Sequence, residues 1–171
     1  MFTGTAGWFV RAGVVVMFWS LACNSFAADE AGAVALSKAM AQVKLFAGLS
    51  DAERDSLKAA VTLRRGKAGE RIIQQGKVRD RMFIILEGPA EVRVNGKHFV
   101  TLSGQTLVGE IEFLDMLPAS ADVFLLKETD LIELNYAALT RLMEKQPRLG
   151  YVLMREIARI EARRLRNTTS K

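Results

Sequence analysis

The stretch VGEIEFLDMLPASADV, Val108–Val123, interrupts a long series of short β-strand patterns. On both sides of it, across residues 61–135, short runs rich in Val, Ile, Leu and Phe are separated by turn residues, as in a β domain. Inside it, Gly109 and Glu110 open a short apolar segment that Pro118 closes. Glycine tolerates the tight turn that leads from a strand into a helix. The stretch therefore predicts one short helix set into a β domain.

The strand patterns around this break are regularly punctuated by glycines. They read VTLRR, ERIIQQ, MFIILE, AEVRV, HFVTL, ADVFLL and TDLIELN. Asn95-Gly96 stands between two apolar runs and predicts a hairpin with a two-residue type I′ turn. Seven or eight short strands joined in this way predict an antiparallel sandwich or barrel, so the fold class is mainly β with flanking helices.

Two helical patterns precede the β region. Residues 28–42 are rich in alanine and predict a leading helix. Ser50 is followed three residues later by Glu53, which is the spacing of a capping box. This box predicts a second helix that runs to about Ala60.

Two further helices follow the β region, where the apolar period returns to 3.6 residues. Tyr136–Gln146 forms the first, and Pro147 starts the second because proline suits a first helical position. An apolar stripe from Leu149 to Leu165 is expected to pack on the domain, with the arginines opposite and solvated. Arg164 interrupts this stripe and so disfavours a homodimer seam, although a homodimer or a protein partner at this helix stays open.

The N-terminal segment has the layout of a secretory signal peptide. Arg11 is the sole charge before Asp29, and Ala12–Ala22 is a compact apolar run. Small residues then lead to Ala27, where we expect cleavage. Residues 1–27 are therefore predicted to be removed on export, most simply to a bacterial periplasm.

Two alternatives remain for this segment. It could persist as a membrane anchor, although its apolar part is about half of the ~20 residues that a spanning helix needs. Leu21-Ala22-Cys23 also resembles the end of a lipobox, but Ser20 stands where leucine is usual. Since Cys23 is the only cysteine, a chain cut after Ala27 has no thiol, and we expect no zinc or iron–sulfur site.

Taken in order, these segments resemble the cyclic nucleotide-binding domain, a β-roll family. The resemblance covers roughly Val43–Arg166 and implies an antiparallel, jelly-roll-like β-roll over residues 43–171, with N-terminal helices and two C-terminal helices. Its motifs are LFAGLSDAERDSL, GKAGERIIQQGKVRDRMFIILEGPAEV, GEIEFLDMLPASADV and DLIELNYAALTRLMEKQPRLGYVLMREIARIEARRL. In this family the short helix presents backbone N–H groups to the phosphate of cAMP or cGMP, which are therefore the ligands to expect.

The resemblance assigns the ligand site to the cassette within the opening stretch. The implied residues are Gly109, Glu110, Ile111, Glu112, Ala119, Ser120 and Ala121. Glu110 matches the residue that accepts a hydrogen bond from the ribose 2′-hydroxyl. Ala119 matches the position of an arginine that contacts the phosphate in binding members, and Glu112 matches a small residue beside it. Both departures predict weak or altered nucleotide binding, and Gly109 and Glu110 also have purely structural explanations in the turn and the helix dipole.

No catalytic arrangement is recognisable. His98 is the only histidine, and neither a nucleophile–base pattern nor a phosphate loop is present, so we expect no enzyme. Lys171 follows directly on the final helix without a helix-turn-helix, so we expect no DNA binding. The sequence predicts a regulatory module that couples cassette occupancy to the Pro147–Arg166 helix. The alternative is a scaffold without a small ligand, which binds a protein through the β-roll surface or the final helix.

Overall fold

The computed structural model describes residues 30–169, of which those from Leu36 onward belong to one compact unit. The predicted signal peptide, its cleavage after Ala27 and Cys23 lie outside the described residues. None of the helices described is long and apolar enough to cross a membrane.

Eight strands and five α-helices make up the described part of the chain. Helix α1 spans residues 30–41 and α2 spans Asp51–Leu57, followed by a 3-10 turn at Lys58–Ala60. The strands are β1 Val61–Gly66, β2 Arg71–Ile73, β3 Arg81–Ile85, β4 Ala90–Val94, β5 Lys97–Leu102, β6 Thr106–Val108, β7 Asp122–Leu125 and β8 Thr129–Asn135. Helix α3 is Glu110–Asp115, and the chain continues after β8 with α4 Tyr136–Lys145 and α5 Pro147–Thr169. The expected β fold with flanking helices and one inserted helix is confirmed.

The strands form two antiparallel four-stranded sheets, in the orders β1-β8-β3-β6 and β2-β7-β4-β5. Strand β3 is buried on both faces. Because successive side chains of a strand point to opposite sides of the sheet, β3 contributes to two different cores. Met82 and Ile84 belong to a core shared with the helices. Phe83 and Ile85 belong to a second core, which the two sheets enclose. One strand thus joins the helical layer to the interior of the roll.

Two short sequence motifs, the Asn95-Gly96 turn and the Ser50–Glu53 capping box, adopt the structures predicted for them. Asn95 and Gly96 have φ values of 52° and 75°, as a type I′ turn requires, and they join β4 to β5. The Glu53 amide donates to Ser50 Oγ at 3.3 Å and the Ser50 amide donates to the Glu53 carboxylate at 2.8 Å, which completes the capping box. Both predictions are confirmed.

Helix α5 packs on the domain through the first part of its apolar stripe. Leu149, Leu153 and Ile157 are buried in the core shared with the helices. The predicted extension of this stripe to Leu165 is wrong, because Leu165 is exposed. At this end of the helix Arg164, rather than a leucine, faces the domain.

Candidate functional site

Helix α3 begins at a turn that only glycine makes without strain. Gly109 precedes the helix with a φ of 84°, in the left-handed region. A Cβ at this position would lie 3.2 Å from Met82 Cα and 3.4 Å from the Arg81 carbonyl oxygen. The glycine therefore has a structural reason of its own, and its presence alone does not indicate a ligand.

The side chain of Glu110, the first residue of α3, points into the protein. It is 2% exposed, and its Oε1 accepts a hydrogen bond from Arg164 Nη1 on α5. Its Oε2 is fully buried and has no hydrogen-bond donor among the described residues. A buried carboxylate normally has all its oxygens satisfied. One oxygen of the Glu110 carboxylate is therefore bonded to α5, and the other has no hydrogen-bond partner among the described residues.

Arg164 joins α5 to the cassette and to β6. Its guanidinium donates to the carbonyl oxygen of Leu107 at 2.5 Å, to Thr106 Oγ1 at 3.2 Å and to Glu161 Oε1 at 2.8 Å, besides its contact with Glu110. The expectation that the arginines of this helix are solvated is wrong for Arg164. The interruption of the apolar stripe is the signal that marks it, since an arginine on a packed face needs partners there.

Burial controls the charge of the two carboxyl groups of α3. It raises the pKa of Glu110 from 4.5 to about 7, against the opposing effect of Arg164 and with a further rise from Glu161. Burial also raises the pKa of Glu112, and nearby Asp115 adds to the effect. Both groups therefore bind a proton more readily than exposed glutamates do.

A cavity of about 350 Å³ lies next to these groups. Its walls are mostly aliphatic side chains of the sheets, and its polar end is formed by the cassette and α5. The described residues that line it are Ile73, Val92, Val94, Phe99, Val100, Leu102, Val108, Gly109, Glu110, Ile111, Glu112, Ser120, Ala121, Val123, Glu161 and Arg164. The structure thus brings together six of the seven cassette residues that the resemblance implied.

The seventh residue, Ala119, has a different location. It is 3% exposed and belongs to the core between the sheets rather than to the described lining of the cavity. Its amide donates to the Lys77 carbonyl and its carbonyl accepts from the Gly76 amide. The backbone here is fixed by the neighbouring loop, whereas Ser120, the next residue, faces the cavity.

Tyr136, the first residue of α4, contacts the cassette at both Gly109 and Phe113. Its hydroxyl donates to the Gly109 carbonyl oxygen at 2.5 Å. Its ring packs against Phe113 with the ring centroids 5.1 Å apart. Burial raises the pKa of Tyr136, so the hydroxyl remains a donor. Tyr136, like Arg164 and Glu161, is a site residue that the sequence interpretation missed.

The balance of charge in the cavity is negative. Among the described residues that line it, Arg164 is the only cation, whereas Glu110, Glu112 and Glu161 carry carboxyl groups. Arg164 is already bonded to two of those three. The only cation that an anion would meet among these lining residues is therefore already paired with carboxylates.

The fold and the glycine-initiated helix between β6 and β7 define a β-roll with a helical lid. Residues 63–146 match the sequence model of the cyclic nucleotide-binding domain. Over these residues the chain is a cyclic nucleotide-binding domain, and the family that the sequence resembles is confirmed.

The chain is also similar to two curated proteins. It is 36% identical over 115 residues to a cAMP-dependent protein kinase regulatory subunit of Mycosarcoma maydis, covering 62% of this chain and 22% of that protein. It is 31% identical over 127 residues to Glutaminase 1 of Bradyrhizobium diazoefficiens, covering 74% of this chain and 21% of that protein. The chain thus spans about a fifth of the length of each relative.

A solved structure shares the fold. A cyclic nucleotide-binding domain from Methylobacillus flagellatus superposes with a TM-score of 0.68 at 21% identity, covering 79% of each chain. This likeness confirms the β-roll architecture.

Proposed function

We propose that this domain is a regulatory module that senses a ligand in the cassette cavity and responds through α5. One observation carries the proposal: Arg164 of α5 is bonded to Glu110 of the cassette, and both residues line the cavity. The kinship with a kinase regulatory subunit supports a regulatory role. The ligand site and the helix proposed to respond therefore share one ion pair.

The coupling follows from competition for Glu110. A ligand that donates to this carboxylate takes over part of the role of Arg164, whose other partners are on β6 and on α5 itself. The position of α5 then depends on occupancy, because a ligand shifts a conformational equilibrium by its difference in affinity for the two states. Beyond Ile160, which is partly buried against the core, little apolar burial holds α5, since Leu165 is exposed. The terminal turns of α5 are the part expected to respond.

We further propose that cAMP and cGMP bind weakly. Support comes from Ala119 at the position that the resemblance assigns to the phosphate-contacting arginine, and from the buried carboxyl group of Glu112. A charge-assisted hydrogen bond that is lost costs about 1.5–3 kcal/mol, and each 1.4 kcal/mol is about tenfold in affinity. The loss of the arginine alone then weakens binding by about ten- to a hundredfold, before repulsion from Glu112.

Isothermal titration of the full chain with cAMP and with cGMP tests the proposal. We expect dissociation constants well above the low micromolar range. Low micromolar or tighter binding would overturn the weak-binding proposal and would count against a scaffold without a small ligand. Ala119→Arg should tighten cAMP binding by about tenfold or more. Because Ala119 is buried, Ser120→Arg serves as a second variant that places the cation on the cavity wall. No gain from Ala119→Arg would refute the assigned cassette alignment, and no gain from Ser120→Arg would mean that the missing cation is not what weakens binding.

A second function is favoured by an exposed apolar surface on and after α3. Its members are Ile111, Leu114, Met116 and Leu117. Met116 is 80% exposed and has a φ of 61°, a conformation that glycine would adopt with less strain. The positive φ is the left-handed conformation in which helices commonly end, whereas the exposed side chains suit a scaffold that binds a protein at this surface. If Met116→Gly stabilises the domain and abolishes capture of a partner while leaving ligand titrations unchanged, the scaffold is the better explanation.

We propose no catalytic role for the described residues. His98 Nδ1 lies 3.1 Å from Glu91 Oε1, and the same carboxylate accepts a hydrogen bond from Arg93 through Oε2. These groups lie on the surface of β4 and β5 and do not line the cavity. The glutaminase relative is matched over 21% of its length, so its activity is no guide here. Glutamine hydrolysis by the purified chain, lost in His98→Ala, would overturn the proposal.

Export is also proposed, on the layout of residues 1–27 alone. The intact mass of the protein recovered from a bacterial periplasm should correspond to a chain that starts at Ala28. A mass that includes Met1, together with retention in the membrane fraction, would support the anchored alternative instead.

A further inference from the structure

One buried atom beside the cavity, Glu110 Oε2, has no hydrogen-bond partner among the described residues. Glu110 Oε2 is fully buried and accepts no hydrogen bond from the described residues, although Oε1 of the same carboxylate is bonded to Arg164. Such an atom loses its hydration on folding and gains nothing in return, which is uncommon in folded proteins. The group that would satisfy it is a hydrogen-bond donor, because an ionised carboxylate only accepts.

The surroundings of this atom favour a donor that carries a positive charge. Glu110, Glu112 and Glu161 all line the cavity, and Arg164 is the one cation among the described lining residues. Arg164 is bonded to Glu110 and Glu161 already, so at least one carboxylate of the three has no cationic partner in the lining. A second cation would lower the electrostatic free energy of the cavity, and an anion would raise it.

The remainder of the cavity suits an apolar body. Its walls carry valine, leucine and isoleucine side chains from β2, β4, β5, β6 and β7. The ring of Phe99 belongs to the same lining and is exposed to solvent. Aliphatic walls with a few polar groups at one end are typical of sites for small organic molecules.

We propose that the cavity binds a small organic cation whose apolar body lies against the β2-β7-β4-β5 sheet and whose protonated amine donates to Glu110 Oε2, the buried carboxylate turning toward the amine on binding. The proposal rests on the function proposed above, in which this cavity is the ligand site, and it specifies the class of ligand. A primary or secondary amine fits better than a quaternary one, because Oε2 needs an N–H donor. This cavity would then prefer a cation, whereas the family is known for binding anionic nucleotides.

Three probes with one apolar body and different charge test this proposal. The full chain, labelled with ¹⁵N, is titrated at about pH 8, where Glu110 is ionised, with 2-phenylethylamine, 2-phenylethanol and 3-phenylpropionate. Amide chemical shifts give the affinity and the location. We expect the amine to bind at least about tenfold more tightly than the alcohol, with shifts at the Gly109 and Glu110 amides, and the carboxylate to bind most weakly.

Variants separate the charge of Glu110 from general effects. Glu110→Gln should remove the preference for the amine over the alcohol. Glu156→Gln, on α5 but outside this cavity, should keep it, since Glu156 pairs with Arg159 at 2.6 Å. Should Glu110→Gln fail to fold, Glu112→Gln is the second variant, for which a smaller loss of preference is expected.

The outcomes distinguish this proposal from the one on which it rests. Equal binding of amine and alcohol in the cavity overturns the cation and leaves the ligand-sensing function in place. Tighter binding of 3-phenylpropionate than of the amine also overturns it. If cAMP binds in the cavity with low micromolar affinity and no amine does, the cation proposal fails and the ligand-sensing function stands. If neither cAMP nor any probe shifts a cavity amide, the ligand-sensing function itself fails. If no probe shifts any cavity amide at millimolar concentration, the cation proposal fails whatever cAMP does.

Discussion

Arg164 on α5 and Glu110 at the start of α3 form an ion pair across 54 residues of sequence, with Nη1 and Oε1 2.5 Å apart. The carboxylate side chain is 3% exposed and the arginine side chain 33%, so the pair is shielded from water on the side of the cassette. The C-terminal helix is therefore fastened to the residue that the family resemblance assigns to ligand binding.

Removing the guanidinium should loosen α5 and destabilise the domain. Breaking a buried pair leaves an uncompensated charge, and because Arg164 is partly exposed we expect a loss of about 1–3 kcal/mol for Arg164→Met. Urea denaturation measures this loss, and hydrogen exchange should show faster exchange near the end of α5. Arg166→Met, an exposed arginine on the same helix, is the control. Equal losses of stability in the two variants would mean that the Arg164–Glu110 pair does not hold α5 on the domain.

The stability of the domain should decline as pH rises through the range in which Glu110 titrates. The pKa of Glu110 is about 7 in the folded protein and its ordinary value is 4.5, so the folded state binds the proton more tightly. The stabilisation is then complete below about pH 4.5 and is lost by about pH 7. Carboxylates with a lowered pKa, such as Glu53 with a pKa of about 2, stabilise the fold above their ordinary pKa and lose that contribution only as the pH falls toward the lowered value.

Glu110→Gln tests this pH dependence directly. The free energy of unfolding of the variant, measured by urea denaturation between about pH 4.5 and 7.5, should fall less than that of the unmodified protein, with a difference of about 1–3 kcal/mol. Glu156→Gln should follow the unmodified protein. Parallel curves for the unmodified protein and Glu110→Gln would mean that this carboxyl group keeps an ordinary pKa.

The hydroxyl of Tyr136 should contribute to stability through the Gly109 carbonyl. Tyr136→Phe deletes that hydrogen bond and keeps the ring against Phe113, so we expect a loss of about 0.5–1.5 kcal/mol. Tyr151→Phe is the matched control, since Tyr151 lies exposed on α5. Thermal unfolding followed by circular dichroism compares them, and a loss no larger than that of the control would exclude a supporting role.

Two glycines with similar backbone angles should differ in their tolerance of a side chain. Gly109 and Gly104 have φ values of 84° and 71°, but only at Gly109 would a Cβ approach other atoms closely. Gly104→Ala should cost about 1 kcal/mol for the left-handed conformation alone, and Gly109→Ala about 1–3 kcal/mol more for overpacking. Denaturation midpoints measure both costs. Equal losses would mean that the strand-to-helix turn can relax.

The features that the sequence predicted are those encoded by neighbouring residues. The Ser50–Glu53 capping box and the Asn95-Gly96 turn involve contacts within a few residues, so their patterns are visible in the chain. The position of α3 was predicted because it breaks a period of two. Such signals were sufficient for the order of the elements and for the family.

The contacts that complete the cavity lie beyond the reach of such patterns. Arg164 meets Glu110, and Tyr136 meets Gly109, across distances in sequence that no local period records. The helical period of α5 placed Arg164 near the packed face, but the identity of its partner depends on how α5 crosses β6. The burial of Ala119 likewise follows from backbone hydrogen bonds to the Gly76–Lys77 loop.

The contribution of a phosphate to binding tests most directly whether the cavity is closed to anions. Calorimetric titration of the full chain with adenosine and with cAMP compares ligands that share a base and a ribose ring. We predict that adenosine binds as tightly as cAMP or more tightly, because the phosphate finds three carboxyl groups and an arginine that is already paired. If cAMP binds about tenfold more tightly than adenosine, a cation does hold the phosphate, and the cavity is not the anion-excluding site described above.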